Sequence, residues 1–105
     1  MSKVMEIGTK ADFETEIKEG VVLVDFFAVW CGPCQAMKPV LEEYSGGDGA
    51  VKVLAVDVDK LAEVAGKYDI MSIPTFVLFK NGEPIESKTG AMGMEELNNW
   101  INKIK

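Results

Sequence analysis

Apolar positions recur along the chain in two rhythms, alternate and helical, and the switches between them mark out elements. Val4 to Ile7 reads as a short strand. Thr9-Lys10-Ala11-Asp12 has the form of a capping box with Asp in the place of Glu. Phe13 and Ile17 follow at helical spacing and Gly20 closes the segment, which predicts a first helix. Val21-Val22-Leu23-Val24-Asp25-Phe26-Phe27 carries apolar residues on both alternating faces, as suits a central strand covered on both sides. A helix is expected from about Pro33 to Tyr44, kinked at Pro39 and ended by Gly46-Gly47. Val51 to Asp57 reads as a further strand and Lys60 to Tyr68 as a short helix. Thr75 to Lys80, then Asn81-Gly82, then Ile85 to Thr89 is a hairpin signal, because Asn-Gly favours a type I′ turn. Met94 to Ile104 places Leu97, Trp100, Ile101 and Ile104 on one face of a last amphipathic helix.

A strand, helix, strand order with crossovers this long implies parallel pairing, whereas the hairpin makes the second half antiparallel. The expectation is an α/β chain with a mixed sheet. With 105 residues and no repeat, linker or low-complexity tract, residues 1–105 read as a single domain. A composition 48% hydrophobic and 27% charged sustains a buried core and argues against disorder. Eleven Lys+Arg against 17 Asp+Glu give a net charge of −6 with no basic block, so neither nucleic acid nor an anionic membrane is expected as a partner. The longest nearly apolar stretch, Val21 to Cys31, is too short to cross a bilayer and is interrupted by Asp25. Met1 to Glu6 has no apolar signal core, and the expected compartment is the cytoplasm.

The chain has no histidine, which removes Ser-His-Asp and Cys-His catalysis and every zinc site that needs imidazole. Chemistry falls to Cys, carboxylate or Lys. Both cysteines lie in Trp30-Cys31-Gly32-Pro33-Cys34, at a strand end and a helix start. The positive end of the helix favours a thiolate at Cys31, the candidate nucleophile. Cys34 lies one turn in on the same face, close enough for reversible disulfide closure after a modest tightening of that turn, and is expected to be less exposed and to act second. Gly32 lets the backbone turn and Pro33 limits its freedom without removing a needed donor. Three plainer readings compete. A structural disulfide over so short a loop would contribute roughly 2 kcal/mol, and a cytoplasm would tend to reduce it. A zinc site lacks two further ligands, and a cluster shared between two chains has no other support in the sequence.

Trp-Cys-Gly-Pro-Cys after an apolar strand, Ile73-Pro74-Thr75 opening a later one, Lys80-Asn81-Gly82 at a hairpin and Gly90-Ala91 beyond it together resemble the thioredoxin family over nearly the whole chain. The resemblance implies a thioredoxin fold, a central mixed five-stranded sheet flanked by four helices, with the first three strands parallel and the last two antiparallel. It implies a cis peptide bond before Pro74, beside the cysteines, and a substrate segment pairing with the Ile73 backbone. Trp30, Gly32, Pro33, Ile73, Gly90 and Ala91 would form a flat apolar contact surface around Cys31. Asp25, in a strand apolar on both faces, is expected to be desolvated with its pKa raised. The resemblance makes it the proton acceptor and donor for Cys34, with Lys52 as its partner. Buried structural acid and outward-facing lysine are the plainer alternatives for these two.

The implied function is general protein-disulfide reduction by Cys31/Cys34 cycling. No cofactor is expected on the chain itself. Electrons would come from NADPH through a flavoprotein thioredoxin reductase, or from a ferredoxin-linked enzyme. The partners would be that reductase and disulfide-containing target proteins, with the chain a monomer. Gln35, where many relatives carry Lys or Arg, and Val29, where a polar residue is frequent, depart from the family pattern and bear on the acidity of Cys31. Rival readings are an oxidant or isomerase of the same fold, which Gly32-Pro33 argues against, a scaffold with merely retained cysteines, and a glutaredoxin, for which no glutathione-site pattern is present.

Overall fold

In the computed structural model, residues 2–105 are described; Met1, the first residue of the N-terminal segment read above, lies outside them. The elements run β1 (Met5–Glu6), α1 (Lys10–Glu16), β2 (Val21–Phe27), α2 (Gly32–Ser45), β3 (Lys52–Asp57), α3 (Ala62–Lys67), β4 (Thr75–Lys80), β5 (Glu83–Thr89) and α4 (Met94–Ile104). The five strands form one sheet in the order β1-β3-β2-β4-β5. β1 and β2 each pair parallel to β3, while β2/β4 and β4/β5 are antiparallel. This is the mixed sheet expected, with β2 near its centre.

Alternation along β2 distributes the core between two layers. Val22, Val24 and Phe26 pack with Phe13 of α1 and Val64 of α3. Leu23 faces the other way, onto Met37 and Leu41 of α2 and Leu97 and Ile101 of α4. Both faces of a central strand must therefore be apolar, which explains its unbroken hydrophobic run. Asp25 shares the Leu23 parity and points to the α2 side. No helix among the described residues is long and apolar enough to cross a membrane.

Local chemistry sets the element ends. The Thr9 hydroxyl caps α1 by accepting from the Asp12 amide at 3.0 Å. Asn81 (φ 51°) and Gly82 (φ 89°) both take positive φ, as a type I′ turn requires, and the Asn81 side chain accepts from the Gly20 amide at 2.8 Å. Pro39 lies inside α2 and leaves the Gln35 carbonyl without its donor four residues on. The short helix α3 is tighter than Lys60 to Tyr68: the Asp57 carboxylate accepts from the Asp59 amide at 2.9 Å and holds the approach to it as a turn.

Candidate active site

β2 delivers its C-terminal end to the start of α2, and Cys31 is the last of the four residues between them. Cys31 is the N-cap of α2, with φ −88° and ψ 114°, and its sulfur accepts from the Cys34 amide at 3.1 Å. The sulfur thus takes the capping role that an oxygen usually fills, satisfying the Cys34 amide, while the Gln35 amide donates to the Cys31 carbonyl at 3.1 Å. Pro33 occupies the first turn, where its missing N–H costs nothing. Cys31 and Cys34 are joined as a disulfide with Cα atoms 5.2 Å apart. In this oxidised form both are buried almost equally, at 5% and 3% exposed, so the expected difference in access is not visible.

Antiparallel pairing brings the start of β4 to the same end of β2, with Thr75 opposite Phe26. The Ile73–Pro74 peptide immediately before it is cis, the isomer the resemblance implies. Ile73 packs on the cluster that holds Cys31, Cys34, Phe27 and Ala28. The Thr75 hydroxyl donates to the Ser72 carbonyl at 2.6 Å, which fixes the turn leading into this bond. Gly90, at φ 99°, donates its amide to the Pro74 carbonyl at 2.8 Å and so brings the β5–α4 loop alongside. Ala91 is exposed there, and Met92 is buried with its amide on the Met37 sulfur at 3.3 Å.

Around the cysteines the surface is apolar and open. Trp30 is 71% exposed and Val29 65%. The Trp30 indole donates to Asp59 at 2.9 Å, so the ring is held on the surface rather than in the core. The Gln35 side chain donates to the Val29 carbonyl at 3.0 Å and clips this loop to α2. Met71, two residues before Ile73, is 91% exposed. Nothing in the residue pattern pointed to the Gln35 clip, the Asp59 anchor or Met71, because each is a long-range placement or a lone apolar side chain in a loop.

Asp25 lies behind the cysteines, 5% exposed. Burial pushes its carboxyl up to about 7, opposed by the charge of Lys38. Its Oδ1 is buried with no hydrogen-bond partner. Lys52 does not pair with it, and that expectation is corrected. The register sets Asp25 opposite Ala55, and Lys52 opposite Val22. Lys52 is three residues away along β3 and therefore on the opposite face, where its ammonium lies 2.8 Å from Glu16 of α1. No group of three His, Cys, Asp or Glu side chains among the described residues is arranged to hold a metal ion.

A family model described as Thioredoxin matches residues 4–103. The chain belongs to the thioredoxin family. It is 47% identical over 96 residues to a thioredoxin of Staphylococcus epidermidis, covering 90% of this chain and 92% of that one. Against a thioredoxin of Staphylococcus aureus the identity is 44% over the same shares. Among solved structures, the thioredoxin of Schistosoma mansoni matches with a TM-score of 0.89 at 39% identity, covering 98% of this chain and 96% of that one. That of Plasmodium falciparum matches with a TM-score of 0.89 at 37% identity, covering 96% and 99%. A thioredoxin-family chain with its paired cysteines at disulfide distance is a dithiol–disulfide oxidoreductase with protein-disulfide reductase activity. Disulfide-containing proteins and a reductase are its partners in general.

Proposed function

We propose that the chain is a general reductant of protein disulfides in which Cys31 attacks, Cys34 resolves and Asp25 moves the proton. The Cys31 thiolate, favoured by the amides of the α2 N-terminus, attacks one sulfur of a target disulfide. That bond breaks, a mixed disulfide forms and the first target thiolate leaves. Asp25 takes the proton of Cys34, whose thiolate attacks the Cys31 sulfur and releases the second target thiolate. Two electrons pass to the target, and the Cys31–Cys34 disulfide remains. The observation that carries this reading is a redox pair at a helix N-terminus with a buried carboxyl, its Oδ1 without a hydrogen-bond partner, on the same side of the sheet.

Trp30, Gly32, Pro33, Ile73, Pro74, Gly90 and Ala91 form the docking face in this reading, and Val29 and Met71 extend it. An extended segment of the target pairs with the Ile73 backbone. No cofactor binds the chain. The dithiol is restored by a flavoprotein thioredoxin reductase using NADPH, with a ferredoxin-linked enzyme as the alternative electron source. The protein works as a monomer in the cytoplasm.

Reduction of insulin by dithiothreitol, followed by turbidity, tests the activity without a matching reductase. Strong acceleration by the protein, absent in Cys31→Ser and in Cys34→Ser, is expected. No acceleration from folded, reduced protein would end the general-reductase reading in favour of a narrow target or a scaffold. NADPH oxidation with a flavoprotein reductase and insulin then decides the electron source.

A further inference from the structure

A cavity of about 170 Å³ opens between β1, β3 and α2 and reaches the buried pair Asp25 and Cys34. It is large enough to admit several waters. Ala55 forms part of its wall, and the register makes this small side chain the direct neighbour of Asp25 on β3. β3 therefore brings no charge to the carboxyl. The charged groups lining the cavity are Glu6 from β1 and Lys38 and Glu42 from α2. Lys38 lies four residues after Cys34, on the same face of the helix, and is exposed. Among the described residues it has no carboxylate within ion-pair distance, whereas Lys10, Lys52 and Lys88 each have one.

We propose that Lys38 is the positioning residue for Asp25, its ammonium favouring the carboxylate form across the cavity that both residues line. The inference rests on the reading of Asp25 as the proton acceptor for Cys34. The cation comes from the same helix that carries both cysteines. The opposite charges of Glu6 and Glu42 line the same opening, yet Lys38 is the charge that draws Asp25 back toward ionisation. Because Lys38 is exposed, water screens its effect, and the expected change is modest.

The test compares Lys38→Gln and Lys38→Arg with the unaltered protein. The titration of the Asp25 carboxyl is followed by carbon NMR in the oxidised state, and release of a Cys31 mixed disulfide is timed from pH 5 to 9. In Lys38→Gln the Asp25 midpoint is expected to rise by on the order of half a pH unit. Release at pH 6 then falls about threefold and at pH 9 is unchanged. Lys38→Arg keeps the charge and restores both. A midpoint that stays put in Lys38→Gln, or that moves as far with Arg as with Gln, overturns the proposal. Failure of the underlying reading looks different: Asp25→Asn would then release the mixed disulfide at the unaltered rate at every pH, while the NMR midpoint still decides the role of Lys38.

Discussion

The buried carboxyl of Asp25 ties stability to pH in a direction that can be worked out from its environment. Its ordinary value is 3.8 and the folded protein raises it to about 7. Between these values the unfolded chain gives up a proton that the folded chain keeps. The stabilising contribution of the neutral acid is full below pH 4, declines as pH rises to about 7 and is flat beyond. Asp25→Asn has no such proton to lose. Relative to the unaltered oxidised protein it should gain stability from pH 4.5 to pH 8, by up to about 4 kcal/mol if the whole shift counts. Urea unfolding at several pH values measures this, and a difference independent of pH would show that Asp25 is not held protonated. The same variant is expected to slow mixed-disulfide release at neutral pH. Lys52→Ala, by contrast, should leave the Asp25 midpoint where it is and cost no more than about 1 kcal/mol, since its contact with Glu16 is exposed. A charged residue inside an apolar strand was legible as special from sequence. Its partner was not, because a shift of register along β3 changes both distance and face.

At the scale of elements, Gly90 ties the β5–α4 loop to the cysteine end of the sheet. Gly90 holds φ 99° while donating to the Pro74 carbonyl, and no atom lies within 4 Å of where its Cβ would stand. Gly90→Ala therefore meets no clash, only the backbone penalty of positive φ, about 1–2 kcal/mol. Thermal unfolding should show that loss, and insulin reduction should fall with it if the loop shifts away from Pro74. A full-strength variant with unchanged melting would mean the loop finds another path. Elements with a strong local signal were read to the residue: β2 from its unbroken apolar run, β4 from its fall into Asn81-Gly82, α4 from Leu97, Trp100 and Ile101 on one face. β5 was read two residues short, because Glu83 and Pro84 look like turn residues. They belong to an exposed edge strand, where Pro is tolerated and alternation is weak. A register shift between Leu78 and Phe79 further blurs the pattern opposite it. The cysteine pair needed no tertiary knowledge, whereas the Gln35–Val29 and Trp30–Asp59 contacts exist only once loops and helix are assembled.

Across the whole molecule, a net charge of −6 is set against an apolar face around the one reactive pair. Long-range attraction from a chain of this net charge cannot hold targets of either sign alike; contact at short range has to do it. Trp30 is the largest exposed apolar group on that face, and its bond to Asp59 keeps the ring oriented before a target arrives. Holding it in place lowers the ordering cost of association. Trp30→Ala should accordingly reduce kcat/KM for a protein disulfide by roughly tenfold, about 1.4 kcal/mol. A small disulfide such as hydroxyethyl disulfide, which covers little of the face, should react at nearly the unaltered rate. Met71→Asp places a charge on the most exposed large apolar side chain, 91% accessible, and should weaken protein substrates while leaving the melting temperature alone. Measuring both substrates with both variants separates docking from chemistry. Equal losses on the two substrates would locate Trp30 in the reaction of Cys31 itself, and no loss on either would move the docking face elsewhere on the molecule.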